Sequence, residues 1–250
     1  MTASLDTLVT TLRTEGDRIA AMPADLLDAP VPTVPGWTLE DVVRHTGRVH
    51  RWVLARLDSD PDGGSPSERA PSLPHGPDCL GVYKESLDAM VDRLTSVDPE
   101  TPAQTFVGRQ NYGWWIRRQA HEVTVHRFDA ADAVHAAGGP APETADPLSA
   151  ADGIDELTCV VYAHRVPPLP EELHGTTIHV HGTDTPDAEW LLELGPDGVR
   201  TRRSHEKATV ALRGTAENLL LVLSRRRPLD GLEVFGDGTV AARLLDVARF

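Results

Sequence analysis

Cysteine is nearly absent from this chain: Cys79 and Cys159 are the only two in 250 residues. That excludes a disulfide scaffold and a cysteine-rich zinc module, and it leaves any metal to histidine and carboxylate. Basic charge is also short. Lysine and arginine number 24 against 38 aspartates and glutamates, for a net charge of −14. The deficit is even, −8 over residues 1–145 and −6 over the rest. Neither half offers a basic face for a phosphate backbone or an anionic lipid surface, so neither nucleic acid nor membrane is expected as a partner. No apolar run approaches the ~18 residues of a membrane span. The opening stretch MTASLDTLVTTLRTEGD has no basic segment leading into an apolar core, and a cytoplasmic location is expected.

What the chain has in quantity is histidine, 11 in all, and enough length for one or two domains of ~150 residues. The first 135 residues read as helices joined by proline-rich connections, with no convincing alternating strand. Leu5, Leu8, Val9, Leu12 and Ile19 recur at helical spacing in a stretch that ends at Pro23. Thr38 followed by Asp41 reads as an acidic capping box opening a second helix, with Leu39, Val42, Val43, Val49, Val53 and Leu57 on one face. Residues 59–78 hold five prolines and three glycines, a long loop of the kind that is usually functional or disordered. A third helix over about 79–95 and a fourth over about 113–136 complete a bundle pattern that breaks at Gly138-Gly139-Pro140.

Beyond a linker at 141–147 the texture changes. A helix over about 148–164 is followed by short segments of strand character at 177–181, 190–194, 199–204, 208–212 and 232–235, with helices at 215–224 and 239–247 between and after them. This predicts an α+β multidomain fold: a helical bundle over 1–145, then a smaller α+β layer domain over 146–250.

The fourth helix carries the most chemistry. The line through Trp115, Gln119, Glu122, His126, Asp129 and Ala133 ought to be apolar on a bundle helix and is polar in its middle. Glu122 and His126 are i, i+4 neighbours on one face, able to share a cation or simply to form a weak surface pair. His121 and His126 are five apart, about 140° around the helix, which is not the spacing of two metal-binding histidines. The second helix offers two further candidates. His45 lies at the edge of the core-facing stripe and His50 nearer the flank. Two histidines and one carboxylate leave the fourth position of a zinc ion open, as in catalytic sites.

The segments PGWTLEDVVRHTGRVHRW (35–52), WIRRQAHEVTVHRFDA (115–130) and LRGTAENLLLVLSRRRPLDGLEVFGDG (212–238) resemble the mycothiol-dependent maleylpyruvate isomerase family of actinobacteria. The resemblance implies a DinB-like four-helix bundle and a C-terminal domain similar to sterol carrier domains. It also implies metal ligands at His45, Glu122 and His126, with zinc, or iron, nickel or cobalt, as the metal and mycothiol as thiol cofactor. A metal with an open position deprotonates a coordinated thiol, and the thiolate then serves isomerisation or S-transfer on a small electrophilic substrate. The same resemblance points to Arg225 as a catalytic arginine holding a substrate carboxylate. No oligomeric state is implied.

Two other readings stand beside this one. The protein could be a non-catalytic small-molecule or lipid-binding protein, or a zinc hydrolase whose open metal position holds water. Cys79 and Cys159 are expected to be inert. Arg202, Arg203, Arg226 and Arg227 read as surface charge, and Trp114 and Trp115 as core or pocket lining. Asn111, Tyr112 and the 59–78 loop are expected at the mouth of the bundle. His179 and His181 share a strand face but show no third partner in the sequence.

Overall fold

In the computed structural model, residues 3–59 and 70–249 are described, and the chain divides into two compact units, Ser4–Glu143 and Thr144–Phe250. The first unit is built on four helices: α1 (Leu5–Ala20), α2 (Leu39–Leu57), α3 (Asp78–Thr95) and α4 (Tyr112–Ala136). Helix α1 packs on α4 and α3, and α2 on α3 and α4, so each helix has two main neighbours in a closed bundle. No helix among the described residues is long and apolar enough to cross a membrane.

Side-chain caps start α1 and α2, the latter at the Thr38–Asp41 pair expected from the sequence. Ser4 accepts a hydrogen bond from the Thr7 amide ahead of α1. At α2 the capping box is complete: Thr38 Oγ1 accepts from the Asp41 amide at 3.3 Å while Asp41 Oδ2 accepts from the Thr38 amide at 2.9 Å. Leu12, Ile19, Val42, Val43, Val53, Tyr83, Met90, Trp115 and Val123 fill the interior, each fully buried. Truncating Leu12, Ile19 or Met90 to alanine is expected to cost about 2–5 kcal/mol. One ion pair is also buried, Arg127 with Glu15, and Arg127 Nη1 donates to the Glu143 carbonyl at 2.6 Å.

One sequence expectation is corrected in this unit. The connection between α3 and α4 is a hairpin, β1 (Pro102–Thr105) and β2 (Gly108–Asn111), paired antiparallel from Pro102↔Asn111 to Thr105↔Gly108. Four-residue strands that bury only Ala103 and Thr105 leave too little alternation to read. The proline-rich connection between α2 and α3 is described only in part. Residues 60–69 lie outside the described residues, but the segment that follows is anchored on α2. Leu73 is buried against Gly47, where an added Cβ would meet it at 2.5 Å, and Arg44 Nε donates to the Leu73 carbonyl at 3.1 Å.

The second unit opens with α5 (Pro147–Glu156), capped by Asp146, whose side chain accepts from the Ser149 amide. It continues through one wider π turn, Leu157–Val161, into α6 (Tyr162–Arg165), and the prolines at 167, 168 and 170 prevent further helix. Five strands follow: β3 (Thr177–Gly182), β4 (Glu189–Gly195), β5 (Gly198–Arg202), β6 (Val210–Gly214) and β7 (Glu233–Gly236). Helix α7 (Ala216–Leu223) lies between β6 and β7 in the chain, and α8 (Gly238–Val247) comes last. The sheet order is β5-β4-β3-β6-β7, with β3 and β6 parallel and every other pair antiparallel.

The register puts Ile178 beside Leu192 and Val210, and Val180 beside Trp190 and Leu212, so one face of the sheet is continuously apolar and buried. Trp190 Nε1 donates to Asp155 Oδ1 of α5 at 2.9 Å, and Tyr162 Oη to the Leu223 carbonyl at 2.7 Å. His179, His181 and Glu189 stand on the opposite face.

Candidate metal centre in the helical bundle

Helices α2 and α4 pack against each other, which sets His45 of one across from Glu122 and His126 of the other. The i, i+4 spacing on α4 stacks the latter two, with His126 Nε2 3.3 Å from Glu122 Oε1. His45 Nε2 reaches the same oxygen at 3.6 Å. One ligand atom from each of the three lies within 4.8 Å of the others. Metal–ligand bonds of about 2.0–2.2 Å in a tetrahedron imply ligand separations of about 3.4 Å, so these donors fit a single zinc-sized ion. Two imidazoles and a carboxylate are also the donor types such an ion prefers.

The surroundings orient all three donors. His126 Nδ1 faces Asp129 Oδ2 at 3.0 Å, a contact that holds the ring with Nε2 toward Glu122. Asp129, wholly buried, also accepts from Thr33 Oγ1 at 3.1 Å. Glu122 gives its second oxygen, Oε2, to the Arg118 guanidinium one turn earlier. Trp37 closes the cluster, its ring 5.0 Å from that of His45 and stacked at 6.2 Å and 10° on that of His126. The tight turn before it uses Gly36 at φ +85°, in the left-handed region that favours glycine.

Electrostatics follow from this packing. Burial works to raise the Glu122 pKa, but Arg118 and hydrogen bonds from His126 and His45 outweigh it and hold the carboxyl well below the usual range. Burial likewise disfavours the His126 imidazolium, yet hydrogen bonds to Asp129 and Glu122 prevail and raise its pKa to about 9.

The remaining candidate residues lie outside this cluster. His121 is buried but takes no part in it. His50 is not on the flank. It is fully buried, because the inward stripe of α2 runs Leu39, Val42, Val43, Thr46, His50, Val53, Leu57, and Val49 lies beside it, only partly buried. Neither ring nitrogen of His50 has a hydrogen-bond partner among the described residues, and its ring packs 5.2 Å from Tyr83. Burial drives its pKa down to about 3. Asn111 caps α4 by accepting from the Trp114 amide, and Tyr112 is buried under Arg93. Cys79 is buried, and that burial pushes its thiol up to about 11, where it is no nucleophile at neutral pH. Cys159 is exposed on the π turn.

In the second unit Arg225 is exposed just past α7 at φ +66°. Its amide bonds to the Val222 carbonyl and that of Arg226 to Leu221, a Schellman cap with arginine where glycine is favoured. Arg202 pairs with Glu193 and Glu206, and Arg203 with Asp155. The expectation that His179 and His181 lack a partner is corrected, because Glu189 and His205 converge on them.

Residues 9–131 match the profile of the mycothiol maleylpyruvate isomerase N-terminal domain, and residues 149–243 that of the C-terminal domain found with it. The chain belongs to this family. Among solved structures it is similar to the crystal structure of the mycothiol-dependent maleylpyruvate isomerase (14% identity, TM-score 0.61). It is also similar to a histidine-to-alanine mutant of that enzyme (13% identity, TM-score 0.62). Each comparison covers 93% of both chains. No curated protein matches the sequence. At this identity the likeness establishes the family fold, a helical bundle followed by a smaller mixed-sheet domain, and leaves substrate to the residues of the site.

Trp37, Arg118 and Asp129 are the parts of the site that sequence pattern alone does not assign. Asp129 is visible on the polar stripe of α4, three residues after His126. Trp37 is visible only as part of the Gly-Trp-Thr turn.

Proposed function

We propose that this protein is a cytoplasmic, metal-dependent enzyme that binds mycothiol at His45, Glu122 and His126 and uses it for isomerisation or S-transfer on a small anionic electrophile. The observation that carries this reading is the convergence of His45 Nε2 and His126 Nε2 on Glu122 Oε1, at 3.6 and 3.3 Å, in a chain of the mycothiol-dependent family. His45, Glu122 and His126 would hold zinc or another divalent ion, which would supply the Lewis acidity that makes a bound thiol ionise at neutral pH.

The chain's own residues do the rest. Asp129 fixes the His126 ring so that Nε2 is the free donor, and Arg118 holds one Glu122 oxygen so that the other is presented inward. Trp37 packs its ring against both imidazoles. Arg225 is assigned the substrate carboxylate. Its guanidinium suits bidentate pairing, and its left-handed backbone is the kind of local strain that concentrates at functional positions.

The test is calorimetric binding of mycothiol to zinc-loaded protein. Binding that requires the metal and disappears in Glu122→Ala is expected. Binding unaffected by chelation or by that substitution would overturn the reading, and ester or amide hydrolysis without any thiol would replace it with the hydrolase.

A further inference from the structure

A second convergence of ligating side chains stands in the C-terminal unit, on residues that play no part in the bundle site. His179 and His181 are two apart on β3 and so project from one face of the sheet, the face opposite the apolar one that bears Ile178 and Val180. Antiparallel pairing sets Glu189 of β4 directly across from His181. His205 arrives from the irregular segment between β5 and β6. All three imidazoles turn a nitrogen toward one oxygen: Glu189 Oε2 lies 2.8 Å from His179 Nε2, 3.4 Å from His181 Nδ1 and 2.5 Å from His205 Nδ1. One ligand atom from each of the four lies within 4.8 Å of the others. The rings meet edge to face, with centroids 5.5 to 6.4 Å apart, so none stacks flat over another and blocks its nitrogen.

We propose that His179, His181, Glu189 and His205 form a second metal site, one that takes zinc or a similar divalent transition ion. Three imidazoles and one carboxylate supply four donors, the full complement of a tetrahedral zinc. Ligand separations in such an ion are about 3.4 Å, so the glutamate–histidine distances need change by less than about 1 Å. Soft or oxygen-loving ions are poorly served by this set, since it has no thiolate and a single carboxylate.

The burial of the four residues is graded. The His179 side chain is 10% exposed, Glu189 25%, His181 30% and His205 79%, which gives the ion a path from solvent and makes His205 the last ligand to close. With every position filled by protein, this site is structural and differs in kind from the three-donor cluster of the bundle. Its effect is to pin the 203–209 segment to the sheet.

The experiment is zinc stoichiometry and affinity on the full chain, stripped by chelator and titrated against a chromophoric competitor. Wild type is expected to bind two equivalents. The pair His181→Ala and His205→Ala, both at partly or largely exposed positions, should lose one equivalent along with part of the zinc-induced rise in Tm. The pair His45→Ala and His126→Ala should also lose one equivalent, retaining the one held by the second unit. Unchanged stoichiometry and Tm response in the first pair would overturn the proposal. So would absence of zinc from the second pair, or binding to it only at millimolar concentration. Failure of the bundle site alone leaves the equivalent held by His179, His181, Glu189 and His205 in place, so the two readings fail separately.

Discussion

His126 and Asp129 are three residues apart on α4, and the 3.0 Å contact between His126 Nδ1 and Asp129 Oδ2 decides which imidazole nitrogen points at Glu122. A carboxylate behind a ligating histidine fixes its tautomer and raises its basicity. Without it the ring of His126 is oriented only by its contact with Glu122, 3.3 Å from Nε2.

Asp129→Asn should therefore weaken zinc binding at the bundle site by about 10–100-fold, the usual cost of removing such a partner. The substitution is isosteric, so the bundle should remain folded by circular dichroism. Competition with a chelator gives the affinity, and an unchanged value would show that Asp129 serves packing alone.

The pH dependence of metal binding follows from the same histidine. In the metal-free protein its pKa is raised from 6.5 to about 9. The stabilisation from the protonated ring is fully present below pH 6.5 and disappears as pH climbs through 9. It amounts to something on the order of 3 kcal/mol. Zinc needs the neutral ring, so apparent affinity at the bundle site should rise with pH, by up to about tenfold per unit, and level off near pH 9. Titrations of the variant lacking His181 and His205 isolate this site. A flat profile from pH 6.5 to 9 would contradict the assignment of His126 as ligand.

His50 behaves in the opposite sense. Its folded pKa is lowered to about 3, so above pH 6.5 the ring is neutral in both states and carries no penalty from titration. Below 6.5 the unfolded chain takes up a proton that the folded chain cannot. Stability is thus lost as pH falls toward 3, by up to about 4–5 kcal/mol. His50→Leu should flatten that decline and, by removing two unbonded buried nitrogens, stabilise the protein at pH 7 by about 1–3 kcal/mol. Urea unfolding at pH 7 and pH 5 measures both effects, and equal pH sensitivity in wild type and variant would refute the argument.

Arg225→Gly separates stability from function. Glycine relieves the left-handed backbone at the Schellman cap and should add about 1 kcal/mol to stability. Loss of the guanidinium should raise KM for an anionic substrate while leaving mycothiol binding intact. If KM does not move, Arg225 is a helix cap and nothing more.

Sequence pattern alone determined the helices of the bundle, the start of α2, the change to short strands after residue 140 and the polar stripe on α4. Each is a local property, a capping pair such as Thr38 and Asp41 or a periodicity of 3.6 or 2 read along a single element. The β1–β2 hairpin escaped because each strand is only four residues long, and β1 buries two of its residues while β2 buries none. The depth of His50 escaped because a polar residue inside an apolar stripe reads as belonging to the flank. Helix packing decided that His45 and Glu122, 77 residues apart in the chain, share one point in space. Strand pairing and the return of the chain after β5 decided that His179 and His181 have Glu189 and His205 for company. Spacing along an element sets which side chains share a face, but only long-range packing sets which faces meet.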